Sequence, residues 1–219
     1  MSVLIVVAHA DDEVLGCGGT IARYVSEGKK CNILVISDGE GARGTKNLKK
    51  KIKLREIAAK KASKILGVNK IRFLNLPDNQ LDNIKILLII KKIEKVIKEL
   101  QPKELFTHFD GDLNIDHRIV SEACLVAGRP YPGQSIKSIY QFETPSSTDW
   151  GNSFFSPNVF IDVSKFVETK IKALEVYNKE IRKFPHSRSF KSIESLLTYR
   201  GTSVGVKAAE AFQLVRQNI

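Results

Sequence analysis

VLIVVAHADDEVLGCGG, residues 3–19, passes from an unbroken apolar run through a histidine and three carboxylates into a glycine-rich segment. An apolar run of this length bounded by polar residues is a strand buried on both faces, and the spacing beyond it is helical. The stretch therefore predicts a strand, a loop and a helix, the first unit of a parallel α/β sheet. Its loop is costly. Ionisable groups crowded at the end of a buried strand pay for desolvation and mutual repulsion unless a cation sits among them. A divalent metal is the simplest cation to expect.

The same alternation continues outward from this unit. Strands are predicted at 3–8, 31–37, 70–76, 104–109, 138–143 and 158–163, with helical periodicity around 15–28, 47–66, 83–100 and 117–127. Gly67 suits the C-cap of the second helix, and Pro102 follows the third. The pattern predicts a single-domain chain, 1–219, with a doubly wound, Rossmann-like, mostly parallel sheet and helices on both faces. In such sheets ligands bind beyond the carboxyl ends of the strands. His9, Asp11 and Asp12 fall at that edge after strand one, and the loop from Asp110 to His117 falls there after strand four.

Composition narrows the partners. A chain of 219 residues that is 42% hydrophobic can bury one substantial core. Cys17, Cys31 and Cys124 lack the paired spacing of a zinc ribbon or a disulfide framework and read as buried hydrophobes. The amino terminus has no basic leader, and ILLII at 86–90 is flanked by lysines and far too short to span a bilayer. A cytoplasmic protein with no transmembrane segment is expected. The formal charge of +11 comes mostly from lysines on outer helix faces, as in KNLKKKIKLREIAAKKASKIL, and no aromatic-interleaved basic motif accompanies them. No specific nucleic-acid partner is expected.

The second loop, DGDLNIDHRIV, adds His117 at the opening of a helix. Catalytic zinc is held by three protein ligands from histidine and carboxylate with one position left open, and His9, Asp12 and His117 can form that set. Asp11 then stands beside the metal, able to take a proton from water. GCGG lacks the G-x-G-x-x-G spacing and follows an acidic cluster that would repel phosphate, so these glycines read as sites of close helix packing. Glu13 reads as a brace for the loop, and His108, inside strand four, as a core or supporting histidine.

AHADDEVLGCGGTIARY resembles the AHPDDE-containing amino terminus of the PIG-L/LmbE-like deacetylases. SDGEGARG (37–44), REIAAKKASKILGV (55–68), FLNLPDNQL (73–81), NIDHR (114–118) and YRGTSVGVKAAEAFQLVR (199–216) extend that resemblance over nearly the whole chain. It implies zinc-dependent removal of an N-acetyl group from an aminosugar, with His9, Asp12 and His117 on Zn²⁺ and Asp11 as general base. Arg55 and Asp78 match positions that hold sugar hydroxyls in relatives, and Arg43 competes with Arg55 for that role. The carboxyl-terminal match lies near the cleft in relatives and brings in His186 and Arg188 as substrate contacts. Relatives of this type frequently assemble, and a homo-oligomer is expected.

Two positions depart from the family pattern. Ala10 replaces the proline of AHPDDE, which loosens the turn and removes no ligand. Asn114 stands where the family commonly has the first histidine of its second motif. That histidine steadies the oxyanion in relatives, tuned by the neighbouring carboxylate, here Asp116. An asparagine amide can donate a hydrogen bond to an oxyanion but cannot serve as an acid. The substitution keeps a second reading open, a non-catalytic metal-containing module that binds a sugar or nucleotide. A diphosphate-linked substrate would give Arg129 or Arg188 a phosphate to pair with. The sugar and its carrier are not encoded in any motif.

Overall fold

The computed structural model describes residues 1–44 and 46–218. One seven-stranded sheet forms the centre, in the order β3-β2-β1-β4-β5-β7-β6. Its strands are β1 (Ser2–Val7), β2 (Lys30–Ser37), β3 (Lys70–Leu76), β4 (Glu104–His108), β5 (Ser138–Phe142), β6 (Val159–Asp162) and β7 (Ala209–Gln217). The helices are α1 (Asp12–Ser26), α2 (Leu48–Leu66), α3 (Ile86–Leu100), α4 (Ile115–Ala127), α5 (Val167–Glu175) and α6 (Phe190–Thr202). Strands β1 to β5 pair in parallel, and β7 alone runs antiparallel to its neighbours β5 and β6. The mostly parallel, doubly wound α/β architecture expected from the alternation is present.

Alternate residues of each strand feed two cores. Val3, Ile5 and Val7 face Val14 and Ile21 of α1, Ala59 and Ala62 of α2, Leu174 of α5 and Leu197 of α6. Leu4, Val6 and Ala8 face Ile89 and Ile93 of α3 and Val120 and Cys124 of α4. Both faces are covered, which is why β1 reads as a continuous apolar run. The three cysteines are buried and free. Gly67 closes α2 in the left-handed conformation at φ 75°, as its position suggested.

The glycines after the acidic loop permit close packing. A Cβ on Gly16 would lie 2.2 Å from the Phe142 ring, and one on Gly19 would lie 2.8 Å from Cβ of Val163. Helix α1 is also broken inside, at Cys17, where φ is −146° and ψ is 25°. The break frees backbone groups in a buried place, and a salt bridge satisfies them. Glu210 accepts from the amides of Gly19 (2.9 Å) and Thr20 (2.7 Å), while Lys170 donates to the carbonyl of Leu15 (2.7 Å) and to Glu210 (2.6 Å).

That arrangement explains the strand the sequence reading missed. β7 inserts between β5 and β6, and its second residue is the buried Glu210. A carboxylate in an interior run argues against a strand until Lys170, far away in sequence, is known to meet it. Helices α5 and α6 were likewise not predicted.

The chain passes from β1 to β2 on one side and from β3 to β4 on the other, so the order reverses between β1 and β4. Loops leaving those two strands separate there and open a crevice at the carboxyl edge. No helix among the described residues is long and apolar enough to cross a membrane.

A candidate metal centre at the β1/β4 switch point

The loop after β1 and the loop opening α4 meet in this crevice. Nδ1 of His9, Nε2 of His117 and Oδ2 of Asp12 stand 3.3 to 3.4 Å from one another. Ligands about 2.0–2.1 Å from a tetrahedral zinc are separated by about 3.3 Å, so this triangle has the size of a zinc face. Oδ1 of Asp12 is buried and has no hydrogen-bond partner among the described residues. A buried carboxylate oxygen left in that state is costly unless a cation meets it. The residues present therefore fit a bound divalent metal.

Carboxylates stand behind both histidines. Nδ1 of His117 lies 3.1 Å from Oδ1 of Asp112, and Nε2 of His9 lies 3.1 Å from Oδ1 of Asp78. At His117 the carboxylate on Nδ1 leaves Nε2 free to face the centre, the usual arrangement behind a metal-ligating histidine, whereas Nε2 of His9 approaches Asp78 without making a hydrogen bond. Asp112 is itself fixed by the hydroxyls of Ser147 and Thr148 and by the amide of Asn114. Burial would raise its pKa, but the bonds from His117, Ser147 and Thr148 hold it down at about 2. For His9, burial disfavours the charged ring, yet Asp116, Asp12 and Asp78 outweigh it and raise the pKa well above the ordinary value. The pocket draws positive charge.

His108 supports this centre from below. Its Nε2 accepts from the amide of Ala8 at 2.9 Å, which makes that nitrogen an acceptor, and its ring stacks on His117 at 3.9 Å between centroids. Burial and the neighbouring His117 keep it neutral, with a pKa well below the ordinary value.

A second trio, His9, Asp78 and Asp116, has the same ligand types within reach. Both oxygens of Asp116 already accept backbone amides, from Asn79 at 2.8 Å and from Leu81 at 3.1 Å. Its carboxylate ties the loop after β3 to α4. The first trio offers two histidines with one carboxylate, the composition of catalytic zinc sites.

Asp11 sits above the triangle in a strained backbone, at φ 134°. Such a conformation costs about 1–3 kcal/mol in a non-glycine residue and persists only when its surroundings impose it. Here they do so from three sides. Arg55 donates to Oδ1 at 3.2 Å, Arg188 donates to Oδ2 at 3.0 Å, and Glu13 accepts the Asp11 amide at 2.9 Å. Glu13 in turn accepts from the Tyr177 hydroxyl at 2.6 Å, so it braces the loop as expected. Burial raises the Asp11 pKa more than the two arginines lower it.

The other expected residues divide. A cavity of about 110 Å³ is lined by His9, Asp11, Arg43, Arg55, Asp78, Asn114, His117 and Arg188, among others. Yet Arg55 spends its donors on the protein, on Ala10, Gly39, Glu40, Glu180 and Asp11, and so holds the acidic loop instead of reaching outward. Arg43 is paired through both terminal nitrogens with Glu180. Asp78 is turned to His9 and to the amide of Ala42. Asn114 is the N-cap of α4: its Oδ1 accepts from the amides of Asp116 and His117, and its Nδ2 donates to Asn79. His186 is not in the cavity; it packs against Trp150 at 5.5 Å and accepts from the Arg188 amide. Arg129 follows the far end of α4, paired with Glu94, and cannot serve this site.

Asp112, Ser147, Tyr177 and Glu180 were missed in the sequence. Asp112 carried a usable signal, an aspartate just ahead of a helix opening with a ligand histidine. The others had none.

The chain is similar to several known proteins. The family described as GlcNAc-PI de-N-acetylase, PIG-L, matches residues 4–127. An uncharacterized deacetylase of Escherichia coli (strain K12), YaiS, is 31% identical over 179 residues, covering 79% of this chain and 88% of that protein. Diacetylchitobiose deacetylase of Thermococcus kodakarensis is 26% identical over 226 residues, covering 97% and 82%. Among solved structures, N,N'-diacetylchitobiose deacetylase from Pyrococcus horikoshii superposes with a TM-score of 0.81 at 21% identity, covering 98% of this chain and 84% of that one, a likeness of fold.

Proposed function

Because the chain belongs to the GlcNAc-PI de-N-acetylase (PIG-L) family, we propose that it hydrolyses the N-acetyl group of an N-acetylated aminosugar, free or carried on a larger glycoconjugate. The products are acetate and the free amine. The observation that carries this reading is the triangle of His9, Asp12 and His117 donor atoms with the clamped carboxylate of Asp11 beside it.

His9, Asp12 and His117 would hold Zn²⁺. When bound, such an ion supplies Lewis acidity, lowering the pKa of water at the site and polarising the acetyl carbonyl. Asp11 takes one proton from the attacking water as its oxygen bonds to the acetyl carbon, and it returns that proton to the nitrogen as the C–N bond breaks. The two arginines fix the direction of its oxygens. Asn114 lines the cavity, and its amide nitrogen, with one hydrogen given to Asn79, has a second to offer the carbonyl oxygen. Asp112 orients His117, and Asp116 holds the loop that carries Asp78.

The test is metal content measured together with acetate release from N-acetylglucosamine and its conjugates. Stoichiometric zinc with zinc-dependent acetate release supports the hydrolase. A protein that binds zinc and sugar but releases no acetate from any of them is the non-catalytic module instead.

A further inference from the structure

Strand β3 ends the sheet. It pairs with β2 on one side, and among the described residues no strand lies on the other. Every second amide and carbonyl of β3 therefore points outward without a ladder partner. Sheets ordinarily blunt such an edge by keeping the strand short, or by placing proline or inward-pointing charge on it. The opposite edge, β6, has only four residues. β3 has seven, KIRFLNL, and no proline. Its two charged residues, Lys70 and Arg72, are drawn aside to Glu99 of α3, and Ile71, Phe73 and Leu74 stay only partly buried. The register shift against β2 and the left-handed Asn75, at φ 51°, come only near its carboxyl end.

A groove of about 580 Å³ lies along this edge, between α2 and α3. Ile71 and Phe73 face its α2 side and Leu74 its α3 side. On α2, Lys60 stands 3.9 Å from Glu56; on α3, Lys92 and Lys95 have no ion-pair partner among the described residues. Open main-chain hydrogen-bonding groups thus run beside uncompensated positive charge. We propose that the β3 edge is a docking site for an extended acidic segment of another protein, which adds an eighth strand to the sheet. Its main chain pairs with the outward groups of β3, and its side chains alternate between the two faces. Apolar residues cover Ile71 and Phe73, and carboxylates meet Lys92 and Lys95. A second copy of this chain is the wrong occupant, because pairing two β3 edges gathers the positive side chains of both copies on molecules of formal charge +11.

The probes are fluorescein-labelled peptides of alternating valine and glutamate, with the lysine counterpart as control, and binding is read by fluorescence anisotropy. Two further copies of the acidic peptide carry N-methyl groups, one at every valine and one at every glutamate, so that each keeps a single edge able to pair. The acidic peptide should bind at least about tenfold more tightly than the basic one. An added strand should separate the two methylated copies by about tenfold or more, since only one of them blocks the pairing edge. The double charge reversal Lys92→Glu, Lys95→Glu lies on the exposed face of α3 and should cancel the preference for glutamate. Equal affinities for the methylated copies overturn the added strand, and equal affinities for the acidic and basic peptides overturn the acidic partner. Both comparisons are made on the wild-type protein and stand even where the variant fails to fold. Sedimentation of the protein alone checks the remaining occupant: a dimer that the acidic peptide dissociates assigns the edge to a second copy and overturns the proposal.

Discussion

Arg188 donates a hydrogen bond to Oδ2 of Asp11 at 3.0 Å, joining the segment before α6 to the loop after β1. Since Arg55 holds the other oxygen, the carboxylate cannot rotate without breaking a charged hydrogen bond. Replacing Arg188 with methionine should lower kcat by about 10²-fold, the cost of a misplaced reacting group, with a smaller change in KM. Steady-state acetate release distinguishes this from a loss of substrate affinity, which would raise KM at constant kcat.

Asp11 and Asp12 are neighbours with separate tasks. Asp11→Asn should retain near-stoichiometric zinc and lose about 10²- to 10⁴-fold in turnover, the contribution of a general base. His9→Ala and His117→Ala should lose the metal. Zinc analysis of the purified variants checks both halves, and an Asp11 variant that arrives empty would reverse the assignment.

Asn114 combines two functions that substitution can separate. Asn114→Asp keeps an oxygen to cap α4 and loses the amide donor, so stability and zinc content should hold while kcat falls about 10²-fold. Asn114→Ala removes the cap as well and should cost a further ~1 kcal/mol in urea unfolding. Wild-type turnover in the aspartate variant would show that capping is the residue's only function.

The buried pair of Lys170 and Glu210 is needed because α1 breaks at Cys17. Glu210→Gln or Lys170→Met alone strands a charge and should destabilise the fold by about 3–5 kcal/mol in denaturant titration. The double variant should recover part of that loss, since no uncompensated charge remains.

Glu180 gives the fold an acid-sensitive joint. Burial raises its pKa, but hydrogen bonds from Arg43 and the charges of Arg55, Arg43 and Arg188 outweigh it and leave the value below the ordinary 4.5. A carboxylate lowered on folding contributes stability above its unfolded pKa and loses it as the pH falls through the folded value. The urea midpoint should therefore fall more steeply below pH about 4.5 in the wild type than in Glu180→Gln.

The sequence by itself determined the parallel α/β alternation, the carboxyl-edge position of both acidic loops, and the close packing of α1. These are local properties. Strand β1 declares its burial through an unbroken apolar run, Gly67 ends α2 through its own backbone freedom, and His9, Asp11 and Asp12 lie together on one loop whatever the rest of the chain does. Only the tertiary structure decided what surrounds Asp11. Arg188 stands 177 residues away from it, Tyr177 reaches Glu13 across 164, and Lys170 and Glu210 settle a helix break at the other end of the chain. The tertiary fold also turned Arg55 and Asp78 inward and tied the exposed Arg43 to Glu180, partners that single-residue reasoning could not supply. A buried charge takes its function from whichever group neutralises it, and that group is chosen by the fold, not by its distance along the chain.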